Sequence, residues 1–167
     1  PSFVDYFWTM RSMHAPIFLL ASIARKAPPA RIIHAISTGY AGLLGAFLKR
    51  RWQVPFVLTE HGIYTKERKI DLAQASWIQD STDVVSDGAS TDMSYIRRMW
   101  IRFFEQAGRM TYQAADPIIA LYEGNRLRQI EDGAPGERTR VIPNGISLAA
   151  YRDAMAQRGP VLEHVLA

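Results

Sequence analysis

The chain has 167 residues, of which 48% are hydrophobic, 11% aromatic and 22% charged. This composition supports one packed domain and excludes a disordered or fibrous protein. The net charge of +4 permits anionic ligands but is too small for a polybasic nucleic-acid binder. The absence of cysteine excludes disulfides, thiolate metal sites and a cysteine nucleophile. Because no apolar run reaches the roughly 18 to 20 residues of a spanning helix, we expect a soluble, cytoplasmic protein.

The first third of the sequence alternates between helical and strand-like patterns. Apolar residues over 3–26 recur at helical spacing, and Pro16 predicts a division of this stretch into two helices. A short β-branched segment at 31–36 predicts a buried strand, which is followed by a helix over 40–52. A second buried strand is predicted at 55–59.

The rest of the sequence continues this alternation after an acidic stretch. Residues 71–92 contain five Asp and no Lys or Arg, and the second half of the stretch is predicted to be an exposed, mobile loop. An amphipathic helix is predicted over 93–115, with Arg97, Arg98 and Arg102 on or near its solvent side. A strand at 117–121, a helix at 123–131 and a strand at 140–142 complete the pattern.

Alternating strands and helices predict an α/β fold, a Rossmann-like parallel sheet with helices on both faces. Ligands of such sheets bind beyond the carboxyl ends of the strands. This rule selects four short segments as candidate ligand loops, at 37–40, 60–62, 122–125 and 143–145.

The first candidate segment combines Ser37, Thr38, Gly39 and Tyr40 at the start of a helix. Free main-chain N–H groups there can bind a phosphate or a sugar hydroxyl. The alternative is an ordinary N-cap, because Ser and Thr are common at that position in any helix. The GxGxxG fingerprint and the phosphate loop of nucleotide triphosphatases are both missing from the sequence.

The second candidate segment, Glu60, His61 and Gly62, places a histidine beside a carboxylate at a strand end. The imidazole can donate and accept hydrogen bonds, and the glycine leaves room for a ligand to approach the main chain. The alternative is a histidine that only closes the turn. A zinc site is not expected, because the four histidines are scattered along the chain, at His14, His34, His61 and His164.

Two further polar groups have both a functional and a structural interpretation. The charged run 66–69, which contains Lys66 and Arg68, could hold an anion, but such runs more often form a solvated helix face. Asn125 and Arg126 could reach a ligand or simply begin the helix after the third strand.

Several of these residues lie in stretches that resemble a known family. The sequence is similar to the amino-terminal half of family 4 retaining glycosyltransferases of the GT-B fold, and more narrowly to the cytoplasmic glycosyltransferases of Pel exopolysaccharide systems. The resemblance extends over most of the chain and is clearest at residues 34–44, 58–72, 119–126 and 141–146. The Pro-Asn-Gly-Ile ending fits many members, whereas the Thr-Glu-His-Gly-Ile-Tyr-Thr-Lys-Glu-Arg string beginning at Thr59 is specific.

The resemblance implies a two-domain enzyme of which this chain is one part. Residues 1–146 are expected to form a partial amino-terminal, acceptor-side Rossmann-like domain, with its opening strands lying upstream of Pro1. Residues 147–167 are expected to be a linker or the start of the carboxyl-terminal donor domain. The diphosphate-binding Arg and Lys of the family, and its pair of Glu carboxylates, belong to that donor domain.

The resemblance also implies an activity, the transfer of glucose or a related hexose from a UDP-sugar with retention of configuration. His61 takes the catalytic role of the family histidine that contacts the donor sugar. The substrate-binding residues are expected to be Ser37, Thr38, Gly39, Tyr40, Glu60, Gly62, Tyr64, Lys66, Arg68, Asn125 and Arg126.

The expected partners are a UDP-sugar donor, a glycan acceptor and a membrane-bound complex for exopolysaccharide synthesis, with no nucleic acid, no metal and no cofactor. A different class also fits the fold, namely a non-catalytic Rossmann-like module that binds a nucleotide or mediates assembly.

Overall fold

The computed structural model describes residues 3–78 and 95–145, together with residues 147 and 152. The predicted mobile loop after Trp77 and most of the predicted linker over 147–167 lie outside these residues. The described elements, in chain order, are α1 (Phe3–Lys26), β1 (Ile33–Ala35), α2 (Gly39–Trp52), β2 (Phe56–Glu60), α3 (Tyr64–Gln74), α4 (Tyr95–Ala114), β3 (Ile118–Ala120), α5 (Glu123–Glu131), a 3₁₀ turn (Gly136–Arg138) and β4 (Thr139–Val141).

The four strands form one parallel sheet in the order β1-β2-β3-β4. His34 is opposite Val57 in the register, and Ile119 is opposite both Thr59 and Arg140. The predicted α/β class, with a Rossmann-like parallel sheet, is confirmed. All four carboxyl ends lie at the same edge of the sheet, which brings the candidate ligand loops to that edge.

The described helices that touch the sheet lie on one of its faces. Phe56 and Glu60 point to the same face, because side chains two or four positions apart in a strand share a side. Gly45 of α2 lies against the Phe56 ring, while Tyr112 of α4 and Gln129 of α5 both bond to Glu60. Right-handed crossovers that always step to the next strand place every connecting helix on one side.

The opposite face of the sheet is not covered by the described helices, so the expectation of helices on both faces is met on one face only. The side chains of His34, Val57, Thr59, Ile119 and Arg140 point to this second face, and none of them is buried. Parallel sheets normally have both faces covered.

A single helix, α1, replaces the two helices that Pro16 was expected to separate. Proline removes the hydrogen bond to the carbonyl of Ser12, an exposed residue whose carbonyl water can solvate. Packing keeps the helix continuous, since Met13 and Ala24 on either side of Pro16 are buried. None of the helices in the described part of the chain is long and apolar enough to cross a membrane.

A second apolar cluster joins α1 and α3 to α4, outside the layer that covers the sheet. Arg97 of α4 was expected on or near the solvent side, but it is 6% exposed and lies in this second layer. Its guanidinium donates to the carbonyl oxygens of Leu72, Ala75 and Ile78, where α3 ends. Helix ends leave unpaired carbonyls, and Arg97 is buried because it satisfies them.

Candidate functional site

Glu60, the last residue of β2, is the centre of the carboxyl edge of the sheet. Its side chain is 1% exposed, and its Oε2 accepts hydrogen bonds from the Tyr112 hydroxyl at 2.8 Å and from Gln129 Nε2 at 3.1 Å. Its Oε1 lies 3.3 Å from the Thr38 hydroxyl, which donates to it. The Glu60 carboxylate is thus buried against side chains of the protein, and its predicted substrate-binding role stays a prediction.

The electrostatics of this network follow from burial. Removal from water raises the pKa of Glu60 above its ordinary value, while the hydrogen bonds from Tyr112, Gln129, Thr38 and the main chain of Tyr64 act in the opposite direction. Burial also raises the pKa of Tyr112, and the neighbouring Glu60 charge raises it further. Tyr112 therefore stays protonated and remains a hydrogen-bond donor.

The loop after β1 reaches this network through Thr38, which is 1% exposed. Thr38 occupies the N-cap position of α2, but its side chain makes no capping hydrogen bond because the hydroxyl points to Glu60. Gly39 follows with a φ of +70°, and a Cβ there would lie 2.4 Å from Cε1 of Tyr64. Only glycine fits both the left-handed conformation and this close contact. Ser37 remains partly exposed at the edge.

Two predicted site tyrosines are held by packing rather than directed to the edge. The Tyr40 hydroxyl donates to the Met13 carbonyl at 3.0 Å, so this side chain joins α2 to α1. The Tyr64 ring lies between Gly39 and Phe104, with ring centroids 5.9 Å apart in the latter pair. Both tyrosines are half-buried, and they shape the wall behind the loops.

His61 is exposed at the tip of the edge, directly after Glu60. Its carbonyl accepts a 3.2 Å hydrogen bond from Asn125 Nδ2 of α5, and Asn125 is 7% exposed. Gly62 follows, and the Glu67 carboxylate lies against it, at 2.2 Å from the place a Cβ would take. The main chain of His61 is therefore fixed by α5, while its imidazole is free to meet a ligand.

The cationic side chains near the edge are mostly neutralised by carboxylates. Arg126 donates to Glu123 through Nε and Nη2 at 2.6 to 3.0 Å, and the Arg126 hydrogen bonds lower the pKa of Glu123. Arg68 pairs with Asp71. Lys66 is exposed and makes no ion pair within the described residues.

The structure thus brings together Thr38, Gly39, Glu60 and the main chain of Tyr64, and it joins His61 to Asn125. The side chains of Tyr40, Arg68 and Arg126 make other contacts. Two members of the network, Tyr112 and Gln129, were not predicted as site residues. Their only sequence signal is polarity at core-facing helix positions, which does not show that they point to a strand end. Pro143, Asn144 and Gly145 are exposed at the end of β4.

The arrangement provides an exposed imidazole and main chain, supported by a buried polar network. Such a surface can bind hydroxyl groups, because imidazole and main-chain groups both donate and accept hydrogen bonds. Among the residues that the structure describes, no three His, Asp or Glu side chains are grouped as metal ligands.

Sequence comparison places most of the chain in one described family. No curated protein sequence matches the chain. The family described as "Domain of unknown function (DUF3492)" matches residues 1–137, and this domain is associated with glycosyltransferase-like proteins. Because the match covers well over half of the 167 residues, the chain belongs to the DUF3492 family.

Proposed function

We propose that the chain is the acceptor-side domain of a retaining glycosyltransferase of family 4, which transfers glucose or a related hexose from a UDP-sugar. The observation that supports this most is the exposed His61 imidazole at the carboxyl edge of a Rossmann-like sheet, with its main chain held by Asn125. A fixed hydrogen-bonding group at this edge suits a sugar hydroxyl.

In the proposed reaction, the His61 imidazole contacts the donor sugar and orients it, while the exposed part of the loop after β1 contacts the acceptor glycan. Negative charge that develops on the leaving diphosphate requires electrostatic stabilisation. Two of the cations near this edge, Arg68 and Arg126, are already paired with carboxylates, which leaves only Lys66 without an ion pair among the described ones. The proposal therefore assigns diphosphate stabilisation to groups outside the described residues, in the donor domain.

The biological setting of the proposal is exopolysaccharide synthesis of the Pel type, in the cytoplasm and in contact with a membrane-bound synthesis complex. The association of the domain family with glycosyltransferase-like proteins supports this coarse assignment. The narrower assignment to Pel depends on the sequence string that begins at Thr59.

The test is hexose transfer by the protein that carries this chain with its natural flanking regions. UDP release from UDP-glucose and related donors is measured with and without glycan acceptors. We expect acceptor-dependent UDP release from the longer protein and none from the 167-residue chain by itself. Absence of release from the longer protein with every UDP-hexose and acceptor offered would contradict the proposal.

A non-catalytic assembly module is the second candidate, because the described residues expose much apolar surface. Ile32 and Ile36, which flank β1, are 56% and 70% exposed, and on α1 Phe18 is 75% exposed. Large exposed apolar patches are typical of protein interfaces. A protein that forms a stable complex but binds no UDP-sugar in calorimetry would favour this candidate over the transferase.

A further inference from the structure

The starts of two helices meet at the Glu60 carboxylate. Thr38, at the N-cap of α2, donates to Oε1, and the main chain of Tyr64, the first residue of α3, adds a further hydrogen bond. Helix starts carry partial positive charge and free N–H groups, and they attract anions. In this protein the anion at that place is a side chain of the chain itself.

The partners of Glu60 show that its carboxyl group acts as an acceptor. The hydroxyls of Thr38 and Tyr112, the amide of Gln129 and the main chain of Tyr64 all present hydrogen atoms to it. An ionised carboxylate only accepts hydrogen bonds, so four donors favour the charged form. These hydrogen bonds therefore favour a negative charge just beneath the surface of the edge and act against the burial that raises the Glu60 pKa.

The same edge has little positive charge available for an anionic ligand. Arg126 and Arg68 are held by Glu123 and Asp71, and Lys69 pairs with Glu105 at 2.7 Å. The exposed groups that remain near the buried carboxylate are the His61 imidazole, the partly exposed Ser37 and one cation, Lys66.

We infer that Glu60 makes this edge select uncharged, hydroxyl-bearing ligands and reject phosphate, because its carboxylate already occupies the anion position at the starts of α2 and α3. Glu60 is thus a specificity-determining residue that acts without touching the ligand. The inference rests on the proposed function in one respect, since it assigns to this edge the neutral sugar of the reaction rather than the diphosphate.

The experiment compares an anion with a neutral sugar on the 167-residue chain by ¹H–¹⁵N NMR. Sulfate, at constant ionic strength, and a glucose disaccharide are titrated separately, and the amide signals of Ser37, His61 and Gly62 are followed. In the wild type we expect the disaccharide to shift these signals and sulfate to leave them unchanged. Sulfate shifts at these amides in the wild type would overturn the inference, whatever any variant does.

The informative variant is Glu60→Gln, which keeps the shape of the side chain and removes its charge. We expect sulfate affinity at the three amides to rise by about tenfold or more, because a unit charge within several ångströms is only partly screened at a protein surface. Disaccharide affinity should change by less than about threefold, since a neutral ligand feels no net repulsion. A loss of structure would not raise sulfate affinity while leaving disaccharide affinity nearly unchanged.

Two controls separate charge from structure. Tyr112→Phe loosens the network but keeps the Glu60 charge, so it should not gain sulfate affinity. Glu131→Gln removes an exposed charge from the carboxyl end of α5, and it should also leave sulfate affinity unchanged. An equal gain in Tyr112→Phe and Glu60→Gln would overturn the role of the charge.

Failure of this inference and failure of the proposed function give different results. If the disaccharide shifts no signal at the edge, the proposed sugar site is contradicted, while the sulfate comparison between the wild type and Glu60→Gln still decides the role of Glu60. If the disaccharide binds but sulfate affinity is the same in both proteins, the sugar site stands and the inference about Glu60 is overturned.

Discussion

The hydroxyl oxygen of Tyr112 lies 2.8 Å from Oε2 of Glu60, and both side chains are fully buried. This hydrogen bond links the centre of α4 to the end of β2 across 52 positions of sequence. Because Thr38 and Gln129 bond to the same carboxylate, the loop after β1 and helix α5 are joined to it as well. The geometry of the carboxyl edge therefore depends on one buried acidic side chain.

Tyr112→Phe is expected to lower the free energy of unfolding by about 1 to 3 kcal/mol, because it leaves a buried carboxylate with one donor fewer. Urea denaturation measures this change. The matched control is Tyr122→Phe, at a tyrosine that is 58% exposed, and it should change the stability by less than about 0.5 kcal/mol. Equal effects of the two variants would show that the Tyr112 hydroxyl contributes nothing specific.

The stability of the domain should depend on pH through Glu60. Its raised pKa means that the folded chain binds the Glu60 proton more tightly than the unfolded chain does. The contribution of Glu60 to stability is therefore greatest below about pH 4.5 and falls as the pH rises through its folded-state pKa. Glu60→Gln cannot titrate, so the stability of the wild type relative to this variant should fall from acidic to neutral pH.

Urea titrations of both proteins across that pH range measure the difference in free energy of unfolding. Taking the difference cancels the other titrating groups that the two proteins share. A wild type that instead gained stability relative to Glu60→Gln as the pH rose would show that hydrogen bonding to the carboxylate outweighs the cost of its burial.

Gly39→Ala is expected to destabilise the fold by about 2 to 4 kcal/mol. The added Cβ is strained in the left-handed backbone conformation, and it also overlaps with the Tyr64 ring. Thermal and urea unfolding report the change. Gly136→Ala is the matched control, because a Cβ there would meet its nearest neighbour at an ordinary 3.7 Å. If Gly39→Ala were as mild as this control, the close contact between α2 and α3 would not be present in solution.

Arg97→Met is expected to cost about 2 to 3 kcal/mol, because it removes the donors that satisfy carbonyl groups at and beyond the end of α3. Arg102→Met, at an exposed position of the same helix, should alter the stability by no more than about 0.5 kcal/mol. Hydrogen exchange adds a local test, since the last turn of α3 should lose protection in Arg97→Met alone. Unchanged protection there would contradict the assigned contacts.

If the protein is the proposed glycosyltransferase, His61→Ala is expected to lower its kcat/KM by about tenfold to a hundredfold, through loss of the proposed hydrogen bond to the sugar. Its melting temperature should hardly change, because the His61 side chain is exposed. His34→Ala offers a matched control, since His34 is also exposed but lies on the uncovered sheet face. A large fall in melting temperature with full activity would assign His61 to the structure of the turn instead.

The sequence by itself determined the class of the fold and the order of its elements. Short β-branched runs and helical periodicity depend on neighbouring residues only, so each strand was located within a few residues and α5 was predicted at its observed bounds. The position of His61 at a strand end followed in the same way, from the end of an apolar run. The same local patterns also predicted that polar residues follow the strands at that edge.

The tertiary structure alone decided which of those polar residues are buried and which are exposed at the edge. Glu60 and His61 are adjacent in sequence, yet one is buried and the other exposed, because β2 directs Glu60 toward Tyr112 and Gln129 from distant helices. Tyr40 was likewise turned to α1 by packing. The described helices cover one face because strand order and crossover hand are properties of the whole sheet, which local sequence patterns do not encode.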